Sequence, residues 1–370
     1  MRRLIPAVLV LASLGLAHAQ GIQRQLDPAN RFLEEGRFSE AENAFRDVLD
    51  RYPTLIEAHD GLVTALEGQG RRGEAMRRLL DAGQGLVRSG DLEPGTRFLE
   101  RAVGLDPELA SAQAALGHAY LQAQRYADAE THLRRSIELG ETSPLARLFL
   151  AAAYWELGAY DDAETAYGKL LGLAGPSAAA ARRSLGALHV FRGEYDAAIP
   201  LLAAALGESA DSTQVRYDLA RAFEGAVRIA EAIEVYEAVI GDAPDFLQAH
   251  YRLARLYRAA GQTDRSAHHF ERFSALHAAH QERTHAEGLL TARLNQGWSL
   301  LRQNEAEAAR ALFEVLPPGP DTLRGLGQAQ YRCGDLDAAV QTIERLLETD
   351  PERLDVRLLL DEWRLETANR

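Results

Sequence analysis

A period of 34 residues constrains this chain more than any other feature. Units beginning at Ala110, Pro144, Ala179, Thr213 and Leu247 follow one another at 34, 35, 34 and 34 residues. The same chemistry returns at each offset within them. One apolar column is always leucine (Leu116, Leu150, Leu185, Leu219, Leu253), and the next residue is always small (Gly117, Ala151, Gly186, Ala220, Ala254). Three residues on comes a ring: Tyr120, Tyr154, His189, Phe223 or Tyr257. These columns share one face of a 3.6-residue helix. A self-similar period of this length belongs to repeat architectures, in which one unit cannot bury its apolar face alone and must stack on the next.

The second half of each unit is equally regular. A turn residue stands at Gly158, Gly193 and Gly261, replaced by Gln124 and Val227 in the other two units. A small residue follows at Ala129, Ala163, Ala198, Ala232 or Ser266, and a large apolar one four later at Leu133, Tyr167, Leu202, Tyr236 or Phe270. The pattern reads as helix, short turn, helix, with glycine ending the first helix. Small residues at matched places let the two backbones approach, and the larger side chains fill the space beside them.

Column by column, this pattern resembles the tetratricopeptide repeat family. The resemblance implies an all-α, right-handed superhelical solenoid of antiparallel hairpins whose first helices line a concave face. Degenerate units are expected at 22–55, 56–109, 290–319 and 320–353, around clear units at 110–143, 144–178, 179–212, 213–246 and 247–280. That makes about nine hairpins in one continuous solenoid over 20–370, closed by a capping helix over 353–367. Gly70 and Gly90 stand only 20 residues apart, so an extra helix, or one serving two hairpins, must occupy about Gly73 to Arg88. A longer helical stretch is expected from Phe270 to about Leu294, and Pro200 should kink the second helix that holds it.

Composition narrows the function. The net charge of −13 lacks the basic footprint that phosphate backbones require, which argues against nucleic acid. Arg2 and Arg3, the apolar run Leu4–Leu16 and the small residues Ala17 and Ala19 have the layout of a secretory signal peptide over 1–19. Cleavage after Ala19 would leave a periplasmic or secreted protein of net charge −15, and no later segment has the length of a membrane span. Cys333 is the single cysteine, so helix packing rather than a disulfide framework must hold the fold.

No phosphate-cradling loop, nucleophile elbow or paired Cys-x-x-Cys motif is present, so neither an enzyme nor a cofactor is expected. His268, His269, His277, His280 and His285 cluster in the long helical stretch, but no acidic ligand is suitably spaced among them and no metal site is assigned. The concave face is more informative. Inward offsets in three successive units hold Arg183, Tyr217 with Arg221, and Tyr251 with Arg255 and Arg258, and Arg324 and Arg332 extend the ladder into the last hairpin, with Tyr331 beside them. Arginine forks and tyrosine faces suit an acidic peptide, a terminal carboxylate or an anionic glycan. The competing reading pairs the arginines with Asp218 and Glu224. Trp155 and Trp298 also fall on inward offsets and are candidate anchors. The expected function is a protein-interaction scaffold in the cell envelope, holding partner segments in its groove, with glycan binding or export assembly as the alternative.

Overall fold

The computed structural model describes residues 26–53, 55–207, 212–351 and 353–368, which contain helices and no strand. The leader expected at 1–19 lies outside the described residues. In chain order the helices are α1 (26–34), α2 (Phe38–Arg51), α3 (Ile56–Gly68), α4 (Arg72–Ser89), α5 (Leu92–Leu105), α6 (Ala110–Gln122), α7 (Tyr126–Glu138), α8 (Pro144–Glu156), α9 (Tyr160–Gly168) and α10 (Pro176–Arg192). They continue as α11 (Tyr195–Leu206), α12 (Ser212–Gly225), α13 (Ile229–Asp242), α14 (Leu247–Ala259), α15 (Thr263–Arg302), α16 (Ala306–Glu314), α17 (Pro320–Arg332), α18 (Leu336–Thr349) and α19 (Leu354–Ala368). A single helix, α4, fills the interval between Gly70 and Gly90. Helix α11 runs on through Pro200.

The turn that ends each first helix has one geometry whatever residue occupies it. Gly158, Gly193 and Gly261 are left-handed, with φ of 74°, 78° and 74°, and Gln124 and Val227 adopt the same region at 58° and 63°. In each turn the following N–H reaches back to the carbonyl of the ring residue: Arg125 to Tyr120, Ala159 to Tyr154, Glu194 to His189, Arg228 to Phe223 and Gln262 to Tyr257, at 2.8–2.9 Å. This is the Schellman closure, in which a left-handed residue lets two N–H groups satisfy the last carbonyls of the helix. The ring column therefore marks the helix end as well as the packing face.

The chain divides into two compact units, Leu79–Glu282 and a second made of residues 1–78 with 283–370, and both boundaries fall within helices, in α4 and α15. In the first unit the small column is a contact surface. A methyl at Gly117 would lie 2.5 Å from Leu133 Cγ, and one at Gly186 would lie 2.6 Å from Leu202 Cγ. Successive hairpins are sealed by apolar clusters, such as Leu133 with Leu150 and Ala153, and Tyr236 with Ala249, Leu253 and Leu256. In the other unit, Trp363 is buried among Ile343, Val356 and Leu359, so α19 caps the α17–α18 hairpin. The Tyr52 hydroxyl donates to Asp361 on α19 at 3.1 Å. No helix of the described residues is long and apolar enough to cross a membrane.

Candidate functional site

The inward positions of α6, α8, α10, α12 and α14 all belong to the unit Leu79–Glu282. At its first repeats this face is apolar. A pocket of about 350 Å³ opens between α4, α6 and α8, lined by Val87, Leu99, Ala115, His118, Leu145 and Phe149. His118 stacks flat on Phe149, with ring centroids 4.2 Å apart and planes 11° from parallel. Burial lowers the His118 pKa, which keeps the imidazole neutral and in keeping with the apolar wall. Arg88 and Glu141 supply charge at the lining. Ser111, Ala114 and Ala115 on α6 are small where α8 carries Leu145, Leu148 and Phe149, which leaves the pocket open on the α6 side.

Further along, the face becomes aromatic and then basic. Trp155 is half-buried and lies edge-on to Tyr160 at 6.2 Å, and the exposed Phe191 sits 5.1 Å from Tyr160 and 6.1 Å from Trp155. Arg183, Arg255 and Arg258 are exposed and make no ion pair among the described residues. Arg255 stands over the Tyr251 ring at 5.8 Å.

Other members of the predicted ladder are engaged elsewhere. Tyr217 is only 9% exposed, because the Phe246 and Tyr236 rings close over it at 5.0 and 5.7 Å; it is a core residue and not a groove residue. Arg221 pairs with Asp218 at 3.4 Å, as the competing reading has it, and burial pushes the Asp218 carboxyl up. Glu224 accepts from the Tyr236 hydroxyl at 2.9 Å and from Arg252 at 3.3 Å, so it neutralises none of the exposed arginines. Trp298, Arg324 and Tyr331 belong to the other unit. There Trp298 packs edge-on to Phe313 with Arg324 above it, and Tyr331 stacks on Trp363 at 4.8 Å while donating to Glu366 at 2.9 Å. Tyr331 therefore serves the cap.

The histidine stretch separates in the same way. His269 is buried and its Nδ1 lies 3.1 Å from Nδ1 of His250, whose Nε2–H donates to the Pro244 carbonyl at 3.0 Å. That bond leaves the His250 Nδ1 as acceptor for the His269 N–H. His277 stacks on Phe273. Among the described residues no three His, Cys, Asp or Glu side chains are grouped to hold a metal ion. Sequence reasoning missed the column three residues before the leucine position. His59, Gln113, Arg147 and His250 there each donate to a carbonyl of the preceding loop, at Pro53, Pro107, Thr142 and Pro244. Residue identity varies in this column while donor capacity does not, so only a search by hydrogen-bonding role would have found it.

Comparison with known proteins agrees with this architecture. One tetratricopeptide-repeat model matches residues 148–213, 187–246 and 251–322, another matches 224–274 and a third matches 322–357. Together they span 148–357, more than half of the chain. The chain is a tetratricopeptide-repeat protein. A model of subunit 3 of the anaphase-promoting complex (cyclosome) matches residues 96–170. Among solved structures, MamA (residues 41 to the end) from Desulfovibrio magneticus RS-1 is 21% identical, covering 46% of this chain and 96% of its own, with a TM-score of 0.44. PilF of Pseudomonas aeruginosa is 17% identical, covering 58% of this chain and 99% of its own, with a TM-score of 0.49. No curated protein sequence matches the chain. A repeat array of this family is a protein-interaction scaffold, and its partners are other proteins.

Proposed function

We propose that this tetratricopeptide-repeat protein holds a segment of a partner protein along the inward face of α6–α14, acts outside the cytoplasm and catalyses no reaction. The observation that carries this reading is the change along one face from an apolar pocket to exposed arginines. Val87, Leu99, Ala115 and Phe149 would take a bulky apolar side chain. Arg183, Arg255 and Arg258 would meet carboxylates further along the same segment. First helices of neighbouring repeats pack roughly 10 Å apart. A segment reaching from α6 to α14 would then cross roughly 40 Å, about 12 residues if extended. The leader-like residues 1–19 are the ground for export.

The test is site-specific photocrosslinking in living cells. A crosslinker at position 183 or 255 should trap one common partner that a crosslinker at the exposed Glu234, on a second helix, does not trap. Trapping of the same species from all three positions would refute a groove-bound segment. A trapped acidic glycan in place of a polypeptide would favour the glycan alternative.

A further inference from the structure

The last hairpin of the unit Leu79–Glu282 has lost the helix that covers it. At four preceding repeats the large apolar residue of the second helix is sealed by the first helix of the next. Leu133, Tyr167, Leu202 and Tyr236 are 0–3% exposed. The covering stripe is always spaced i, i+4, i+7: Ala146, Leu150 and Ala153; Ala181, Leu185 and Leu188; Val215, Leu219 and Ala222; Ala249, Leu253 and Leu256. Phe270 is the fifth member of this column, yet it is 56% exposed.

The local sequence explains why. Pro107, Pro144, Pro176 and Pro244 follow earlier second helices, whereas Ser274 to Arg283 contains neither proline nor glycine. With nothing to stop it, α15 continues to Arg302 and no following first helix folds back. The uncovered surface is contiguous. The Phe273 ring lies 6.2 Å from Phe270 and 5.2 Å from the exposed Tyr251, His277 stacks on Phe273 at 5.7 Å, and Arg255 stands over Tyr251.

We propose that this aromatic face receives an amphipathic helix of a partner protein in the place of the missing first helix. The occupant presents a small residue, a leucine and a further apolar residue at i, i+4 and i+7, and a carboxylate beside that stripe meets Arg255. The repeat register specifies the helix and its stripe, since every equivalent face in this unit is covered that way. The guanidinium of Arg255, which makes no ion pair among the described residues and stands over the Tyr251 ring, specifies the acidic flank. This surface lies apart from the pocket of α4, α6 and α8 and shares only Arg255 with the proposed groove, so Phe270→Ser, which touches this face alone, separates the two readings.

The probe is a fluorescently labelled, lactam-bridged helical peptide with Ala, Leu and Leu at i, i+4 and i+7 on a glutamate-rich background. Its controls are a peptide with the same composition in shifted register and one with lysines for glutamates. By anisotropy the full chain should bind the first peptide saturably and the controls at least tenfold more weakly. Phe270→Ser and Arg255→Glu should each weaken binding tenfold or more, and Arg183→Glu, on the groove, should leave it unchanged. Because Phe270 is exposed, Phe270→Ser should melt with the parent chain. Equal binding of the shifted-register peptide, indifference to Phe270→Ser, or a lowered melting temperature in that variant would overturn the proposal. So would a concentration-dependent dimer abolished by Phe270→Ser, which would make a second copy the occupant.

Discussion

The interlock between the small column and the large column can be tested as a pair. At Gly117 an added methyl would lie 2.5 Å from Leu133 Cγ and 3.1 Å from the Leu133 backbone nitrogen. Gly117→Ala gains about 1 kcal/mol of helix propensity but overpacks a filled site at about 1–3 kcal/mol, a net loss of about 1 kcal/mol. Leu133 is fully buried, so Leu133→Ala should cost about 3 kcal/mol in lost transfer and cavity energy. Were the sites independent, the double variant would lose about 4 kcal/mol. In the double variant, however, the alanine at 117 enters space vacated by the leucine, and only the 3.1 Å backbone approach remains tight. The double should therefore cost about 2–3 kcal/mol, no more than Leu133→Ala alone, a coupling of about 1–2 kcal/mol. Urea unfolding of the four proteins, followed by far-ultraviolet circular dichroism, measures the cycle. Additivity within about 0.5 kcal/mol would refute the interlock.

Three further outcomes follow from individual residues. Val227 is β-branched, 79% exposed and left-handed at φ 63°, so Val227→Gly should raise stability by about 1 kcal/mol, seen as a higher melting temperature; a decrease would deny the strain. Tyr236→Phe removes the hydroxyl that donates to the shielded Glu224 and should cost about 1–2 kcal/mol in urea, whereas a neutral result would mean that Arg252 alone satisfies that carboxylate. His59, His118, His132 and His269 have pKa values lowered chiefly by burial, so folding favours their neutral form and each takes up a proton more readily on unfolding. Their contribution is complete above the unfolded histidine value near 6.5 and is lost as pH falls below it, so the urea midpoint should drop between pH 7.5 and 5; a rise would contradict the sign.

The repeat architecture was legible because packing geometry recurs every 34 residues and leaves the same residue sizes at the same offsets. The ring column was assigned to packing, and its carbonyls also close the helix, a role no side-chain pattern reveals. Gln124 and Val227 stand where other units carry the turn glycine, and the backbone there is left-handed as at Gly158 and Gly193. The groove was harder to read. Equal offsets do not give equal exposure: Tyr217 and Tyr251 are one period apart, yet Phe246 covers Tyr217 while Tyr251 is 41% exposed. The pocket at Phe149 depends on small residues of α6 facing apolar side chains of other helices, such as Val87, Leu99 and Phe149, a meeting in space that no single-helix pattern records. The long helix was expected from Phe270 to about Leu294 and runs from Thr263 to Arg302, because the second helix of one hairpin passes into the next without a stop signal.

The central claim is that the inward face of α6–α14 holds a partner segment through Arg183, Arg255 and Arg258. Titration of the crosslinked segment, made as a peptide, against the parent chain and an Arg183→Glu/Arg255→Glu/Arg258→Glu variant tests it most directly. These arginines are exposed and make no ion pair among the described residues, so the variant should keep the parent's helicity and melting temperature. The account predicts at least a tenfold loss of affinity in the variant and parent binding that weakens as salt is raised. Undiminished, salt-independent binding by the variant would contradict it.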